Sequence, residues 1–323
     1  MMKNFAYTHA GSVAEAVKAL GAKNARIHAG GTDLLGCIRD QVFPVDKVVS
    51  ISGIKELSGI SGRPDGGLKI GALSTLAEVA AHPLIAEKYA VLGQAAAEVG
   101  SPQLREQGTL GGNLCQRPRC WYYRGDFPCS RKGGDRCYAV EGENQCHAVF
   151  SGGPCFYVHP SDTAVALSVL QAQLVIVGPT GSKTVKMEGF FVSPEKSVEK
   201  ENILTPNEIL TEIQLPPLSG TVRSAYRKIR ARRAWDFALT SVALFLQLEQ
   251  GKVTRARIAL GGVAPYPWRV EAAEKLLIGK AIDSQLAQAV GQAAAQGANV
   301  MRDNAYKVDM VRGAVEESLL ALV

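Results

Sequence analysis

Thr109-Leu110-Gly111-Gly112-Asn113 opens, and His159-Pro160-Ser161-Asp162 closes, the stretch around which the rest of the chain is organised. Between them lie six of the 7 cysteines: Cys115, Cys120, Cys129, Cys137, Cys146 and Cys155. The last five recur every eight or nine residues, with glycines in between. A segment this rich in glycine and charge has little apolar surface to offset the entropy of ordering it, so something other than a core is expected to hold its shape. Disulfides, zinc and an iron–sulfur cluster are the candidates.

Outward from this stretch, the bulk properties narrow the choice. A chain of 323 residues, 46% hydrophobic and 20% charged, has room for two or three domains and the composition of a soluble globular protein. The net charge of +6 is mild, and its basic concentration (Arg227, Lys228, Arg230, Arg232, Arg233) has few aromatic neighbours. That pattern reads as a solvated face or a subunit contact, and nucleic-acid binding is excluded for want of a stronger basic footprint. The N-terminal residues carry no apolar run of signal-peptide length, and no window reads as a membrane span, so a cytoplasmic location without membrane insertion is expected. In a reducing compartment disulfides are rare, and an odd, clustered set of cysteines favours a metal.

Upstream, Ser12-Val13-Ala14-Glu15 has the pattern of a capping box, followed by one apolar face (Val13, Ala16, Val17, Leu20) and a stop at Gly21. Arg26-Ile27-His28 reads as a strand running into Ala29-Gly30-Gly31-Thr32-Asp33, after which residues 34–40 resume as a helix. Strand, glycine-rich turn and helix start in that order present free backbone N–H groups suited to a phosphate, although two glycines in such a turn also serve plain tight geometry. Residues 47–51 and 68–71 read as strands. Thr75-Leu76-Ala77-Glu78 opens a helix ending near Pro83, and residues 89–99 form an alanine-rich helix.

Downstream, residues 163–170 read as a helix and 172–177 as a strand. Gly178-Pro179-Thr180-Gly181-Ser182-Lys183-Thr184 lacks the spacing of a phosphate loop and reads as a hairpin turn. Residues 208–215 alternate like an edge strand ahead of Pro216-Pro217, a plausible domain boundary. Residues 242–248 and 253–260 form a hairpin about Gln250-Gly251, with Thr254, Ala256, Ile258 and Leu260 on one face and Arg255 and Arg257 on the other. Helical patterns follow near 270–278, 283–296 and 305–322.

The cysteines themselves leave the metal open. Zinc usually shows C-x-x-C pairs, which are missing, whereas iron–sulfur clusters accept irregular spacings because the cluster sets the geometry. Unliganded thiols are the third reading, and spacing does not choose four ligands from six cysteines. Trp121-Tyr122-Tyr123 reads equally as a shield for a cluster and as a small satellite core.

Ala29-Gly30-Gly31-Thr32-Asp33, Thr109-Leu110-Gly111-Gly112-Asn113 and Ser161-Asp162 together resemble the FAD-binding medium subunits of the molybdenum hydroxylases, the family of the xanthine dehydrogenase flavin domain. Tyr226, Lys228, Arg232, Asp236 and Ala238, with Ala259-Leu260-Gly261-Gly262-Val263-Ala264-Pro265, look like that family's C-terminal domain of the CO dehydrogenase flavoprotein type. The resemblance spans essentially the whole chain. It implies an α+β fold: a two-part, PCMH-type FAD-binding domain over 1–216 (subdomains 1–57 and 58–216), a cysteine-rich insertion at 115–156, and a C-terminal sheet and three-helix domain over 217–323. Arg119-Cys120-Trp121-Tyr122-Tyr123-Arg124, Pro128-Cys129, Arg136-Cys137 and Cys155 resemble a branch with an extra [4Fe–4S] cluster, which includes the 4-hydroxybenzoyl-CoA reductase β subunit and a periplasmic aldehyde oxidoreductase flavin subunit.

Carried over residue by residue, the resemblance implies Cys120, Cys129, Cys137 and Cys155 as cluster ligands, with Cys115 and Cys146 unused. It implies FAD contacts from Ala29, Gly30, Gly31, Thr32, Asp33, Thr109, Gly111, Gly112, Asn113, Asp162 and Lys228. Glu106 departs from a common Arg-Asn ahead of the second glycine motif and is left out of the site. The physics agrees, since two glycine pairs let backbone N–H groups approach a dianionic pyrophosphate, and no G-x-G-x-x-G supports a Rossmann reading. No general acid or base is expected, because the cofactors carry the redox chemistry.

The implied function is an electron-transfer subunit working with a small [2Fe–2S] subunit, a large molybdopterin subunit and a soluble carrier (ferredoxin or NAD), in the oxidation of an aldehyde, xanthine or an N-heterocycle. The rivals are a 4-hydroxybenzoyl-CoA reductase-like β subunit running reductively, a self-sufficient flavin oxidoreductase with a zinc-pinned loop, and a flavin-free binding module. Export of a folded complex on a partner's signal is the alternative to a cytoplasmic location.

Overall fold

The structure, a computed structural model, describes residues 2–151 and 153–323. The first unit runs β1 (Ala6–His9), α1 (Val13–Leu20), β2 (Ala25–His28), α2 (Leu34–Arg39) and β3 (Lys47–Ser50). β3 lies between β1 and β2 and pairs with both in parallel. α1 lays Ala16, Val17 and Leu20 onto a core with Val49, Ile51, Ile54 and Leu57. Only half of its expected capping box forms. Ser12 Oγ accepts the Glu15 N–H at 3.2 Å, but the Glu15 carboxylate takes the N–H of Gly11 instead of Ser12.

The second unit comprises β4 (Ile60–Gly62), β5 (Leu68–Gly71), α3 (Leu76–Ala81), α4 (Pro83–Lys88), α5 (Ala90–Ala97), α6 (Pro102–Gln107), α7 (Leu110–Leu114), α8 (Trp121–Arg124), α9 (Asp162–Val169), β6 (Gln173–Gly178), β7 (Gly181–Lys186) and β8 (Ile209–Leu215). Thr75 and Glu78 close a complete capping box on α3. Pro83 does more than end that helix: it begins α4 at the first position, where its missing N–H costs nothing. Pro102 starts α6 in the same way, with Ser101 as its cap.

The sheet order is β4-β5-β8-β6-β7. β8 is therefore central, contrary to the edge position that its alternation suggested. Ile209, Leu210, Ile213 and Leu215 are all buried, because the helices cover one face and the first unit reaches the other through Ile209.

The C-terminal unit begins with β9 (Thr221–Ile229), β10 (Thr240–Glu249), β11 (Lys252–Gly261) and β12 (Trp268–Arg269), in the order β12-β11-β10-β9. α10 (Glu271–Leu277), α11 (Ser284–Ala294) and α12 (Tyr306–Leu320) follow, close to the expected spans. Gln250 and Gly251 carry φ of 50° and 76°, the paired left-handed turn that a two-residue hairpin requires. Val242, Leu244, Ile258 and Leu260 pack under these three helices. Ala243, Phe245 and Ala259, on the opposite face, join the core of the second unit beneath α5 and α9. Arg257 shares that face and is buried, not solvated. It stacks over Phe245 at 5.0 Å and donates to the Val169 carbonyl at the end of α9. The sheet is thus covered on both sides.

Candidate functional site: a glycine-walled cavity beside the cysteine insert

Where the units meet, the structure holds a cavity of about 460 Å³. Ala29, Gly30, Gly31, Thr32, Asp33, Thr109, Gly111, Gly112, Asn113, Asp162 and Lys228 all line it. Two close approaches build its glycine walls. A Cβ on Gly30 would stand 1.7 Å from the Gln107 carbonyl oxygen, and one on Gly111 would stand 2.7 Å from Ala72 Cβ. Gly31 adopts φ of 72°, which carries the chain from β2 into α2.

The two glycine loops differ in what they leave available. The N–H groups of Leu110, Gly111 and Gly112 are committed to the Ser74 carbonyl, the Ala72 carbonyl and Thr109 Oγ1. Those of Gly30, Gly31, Thr32 and Asp33 have no acceptor among the described residues. The anion-binding capacity read from both motifs therefore resides in the first. Asn113 Oδ1 accepts from Ser161 Oγ and Thr163 Oγ1 at 2.5 and 2.6 Å, which leaves its amide NH2 for the cavity.

Asp162 and Lys228 are buried together, with Lys228 Nζ 2.7 Å from Asp162 Oδ2, while the Tyr226 hydroxyl donates to Oδ1. Burial raises the Asp162 carboxyl above the usual range, against the pull of Lys228 and Tyr226. Asp33 lines the cavity, but its carboxylate is taken by the insert: the Arg117 N–H at 2.7 Å, Arg119 at 2.8 Å and Arg124 at 2.7 Å. Burial works against ionisation there, yet the charges of Arg119 and Arg124 hold the carboxyl below its ordinary value. A second carboxylate, Glu201, is clamped between Arg117 and Arg131. The exposed Trp235 and Phe237, on the loop after β9, form one edge of the cavity.

Behind this wall, Cys137 and Cys155 act on one another, which pushes the Cys137 thiol down and the Cys155 thiol up. Cys120 feels both Cys137 and Cys129, and burial pushes it up to about 11. Its sulfur lies 3.3 Å from His147 Nε2. Among the described residues, no group of three or more His, Cys, Asp or Glu is suited to holding a metal ion. Cys115 stands apart on the cavity wall, and Cys146 is exposed. Tyr123 packs with Cys37, Val42 and Cys129, so the aromatic run does contribute to a satellite core. Trp121 and Tyr122 instead pack their rings against His147.

The family described as FAD binding domain in molybdopterin dehydrogenase matches residues 3–218, and the CO dehydrogenase flavoprotein C-terminal domain matches residues 224–322. The chain belongs to the FAD-binding medium subunits of the molybdenum hydroxylases. It is 37% identical, over 95% of its length and 94% of the relative's, to the aldehyde oxidoreductase FAD-binding subunit PaoB of Escherichia coli. It is 28% identical to the carbon monoxide dehydrogenase medium chain of Hydrogenophaga pseudoflava, over 98% and 96%. A solved carbon monoxide dehydrogenase from that organism superposes with a TM-score of 0.80 at 27% identity, covering 100% of this chain and 98% of the other. Like its relatives, this medium subunit is an FAD-binding component of a molybdenum-dependent oxidoreductase. No helix among the described residues is long and apolar enough to cross a membrane.

Arg117, Arg119, Arg124, Arg131, Glu201 and His147 complete these surroundings, and no local pattern in the sequence marks them. The density of arginines in the insert was visible, but their carboxylate partners lie 84 residues before Arg117 and 70 after Arg131.

Proposed function

We propose that the chain is the FAD- and [4Fe–4S]-carrying electron-transfer subunit of a heterotrimeric aldehyde-oxidising enzyme. It would pass electrons between an external carrier and two partners, a small [2Fe–2S] subunit and a large molybdopterin subunit. The observation that carries this reading is that one cavity is walled by both glycine loops, by the Asp162–Lys228 pair and by arginines of the cysteine insert. The aldehyde class follows the relative at 37% identity. The complex is assigned to the cytoplasm, with export on a partner's signal as the alternative that cell fractionation separates.

In this reading the uncommitted N–H groups of Gly30, Gly31, Thr32 and Asp33 bind the FAD pyrophosphate, and Thr109, Gly111 and Gly112 shape the opposite wall. The Asn113 amide and the Thr32 hydroxyl orient the polar chain, Lys228 holds its ammonium beside Asp162, and Trp235 and Phe237 exclude water. FAD, when bound, supplies the exchange between paired and single electrons.

Cys120, Cys129, Cys137 and Cys155 are the residues that would hold the cluster. Buried donors left without partners surround them: Ser130 Oγ, Arg131 Nε and Nη1, and His147 Nδ1. Donors of this kind fit an anionic iron–sulfur core, whose own atoms separate the thiolates more widely than a single ion does.

Anaerobic iron, sulfide, zinc and flavin analysis of the purified complex, with EPR after dithionite reduction, tests both halves. The expected result is FAD and about four irons in this subunit, with a cubane signal lost in Cys120→Ser and Cys155→Ser. Zinc in place of iron overturns the cluster, and a colourless subunit overturns the whole reading.

A further inference from the structure

Arg131 follows Cys129 by two residues, and its side chain is 1% exposed. Its Nη2 serves the Glu201 carboxylate and the Glu199 carbonyl. Nε and Nη1 have no acceptor among the described residues. Its guanidinium lies 5.2 Å over the Tyr123 ring and 4.6 Å over that of Tyr157, which fixes its plane. Cys155 stands two residues before Tyr157, the ring over which the guanidinium lies. Proteins rarely bury donors that nothing accepts, so two such N–H groups on a fixed cation beside a thiol point to an acceptor outside the polypeptide.

We infer that Arg131 is a positioning residue for the iron–sulfur cluster: Nε and Nη1 would donate to sulfur of the bound group, and the buried charge would raise its reduction potential. This rests on the cluster assignment proposed above. Reduction adds one electron and no proton to the cluster, so a buried positive charge favours the reduced state and a buried negative charge opposes it. Arg117, Glu201 and Arg131 together carry one net positive charge. The sign of each member's effect is therefore fixed: removing Arg131's charge lowers the potential, and removing Glu201's raises it.

The test is a dithionite titration of the holo-complex followed by EPR, with iron counted in every sample. Arg131→Gln is expected to lower the midpoint potential by at least tenfold in the reduction equilibrium, about 59 mV for a one-electron couple, at unchanged iron content. Arg131→Lys keeps the charge and is expected to stay closer to the parent, while Glu201→Gln shifts upward. An unchanged potential in iron-replete Arg131→Gln overturns the inference. So does a downward shift in Glu201→Gln, since loosened packing has no reason to respect the sign of the charge. Should Arg131→Gln lose iron, the Lys and Glu201 variants decide. A parent complex without a cubane signal sinks the cluster assignment itself, which is a distinguishable failure.

Discussion

Asp162 and Lys228 form an ion pair at 2.7 Å, with side-chain exposures of 5% and 1%, that joins the start of α9 to β9 across the cavity wall. Their position couples the integrity of the cavity to the docking of the C-terminal sheet. Such a pair is weak support for stability when intact, but breaking it leaves a buried charge alone.

Lys228→Met is therefore expected to destabilise the subunit by about 3–5 kcal/mol, the range for one partner of a buried pair being removed. Asp162→Asn combined with Lys228→Met is expected to recover part of that loss, because neither charge is then stranded. Denaturant midpoints of Asp162→Asn, Lys228→Met and the double variant check this. A double variant as unstable as the sum of the singles would mean the two residues act independently.

The insert is fastened through Asp33, whose carboxylate takes Arg119, Arg124 and the Arg117 N–H. Asp33→Ala is expected to remove the carboxylate that Arg119 and Arg124 share, and the acceptor of the Arg117 N–H, and to make residues 115–156 the first site of limited proteolysis. FAD release should follow more weakly, because the neighbouring N–H groups of Gly30, Gly31 and Thr32 persist. Flavin loss without faster cleavage of the insert would assign Asp33 to the cofactor instead.

How much of this was legible in the sequence follows from the range of the interactions. The α1 and α3 helices announce themselves through local caps, α1 also through its apolar face, and Gln250-Gly251 through its turn chemistry. The central place of β8 depends on which strands flank it, and nothing within residues 209–215 records that. The glycine motifs marked the cavity. The unequal commitment of their N–H groups was invisible, because the acceptors for the second loop are the Ala72 and Ser74 carbonyls, on a separate segment. The resemblance to a family identified cavity residues that local pattern alone left ambiguous.

Lys307 gives a pH dependence with a definite sign. It is fully buried on α12, and Nζ donates to the carbonyls of Gly262 at 2.7 Å and Cys146 at 3.1 Å. Burial pushes its ammonium down to about 8, from the ordinary 10.5. Between those values the unfolded chain holds a proton that the folded chain has released, so folding is favoured as pH rises. The expected gain from pH 8 to 10.5 is about 3 kcal/mol at most, relative to Lys307→Met, in which it disappears. Parallel melting curves for parent and variant across that range would refute the assignment.

Gly30 and Gly36 supply a matched pair for testing the loop geometry. A Cβ on Gly30 meets the Gln107 carbonyl oxygen at 1.7 Å and carbon at 2.6 Å, both backbone atoms that no rotamer change moves aside. At Gly36, within α2, nothing lies within 4 Å. Gly30→Ala is thus expected to separate the two glycine loops and abolish flavin retention on gel filtration. Gly36→Ala is expected to retain flavin and gain about 0.5–1 kcal/mol from helix propensity. Since both substitutions add one methyl within seven residues, a difference between them isolates the close approach of residues 30 and 107 as the feature that forms the cavity. Equal retention by both would show that the loops can part without loss of the cofactor, and would shift the binding role to the free N–H groups alone.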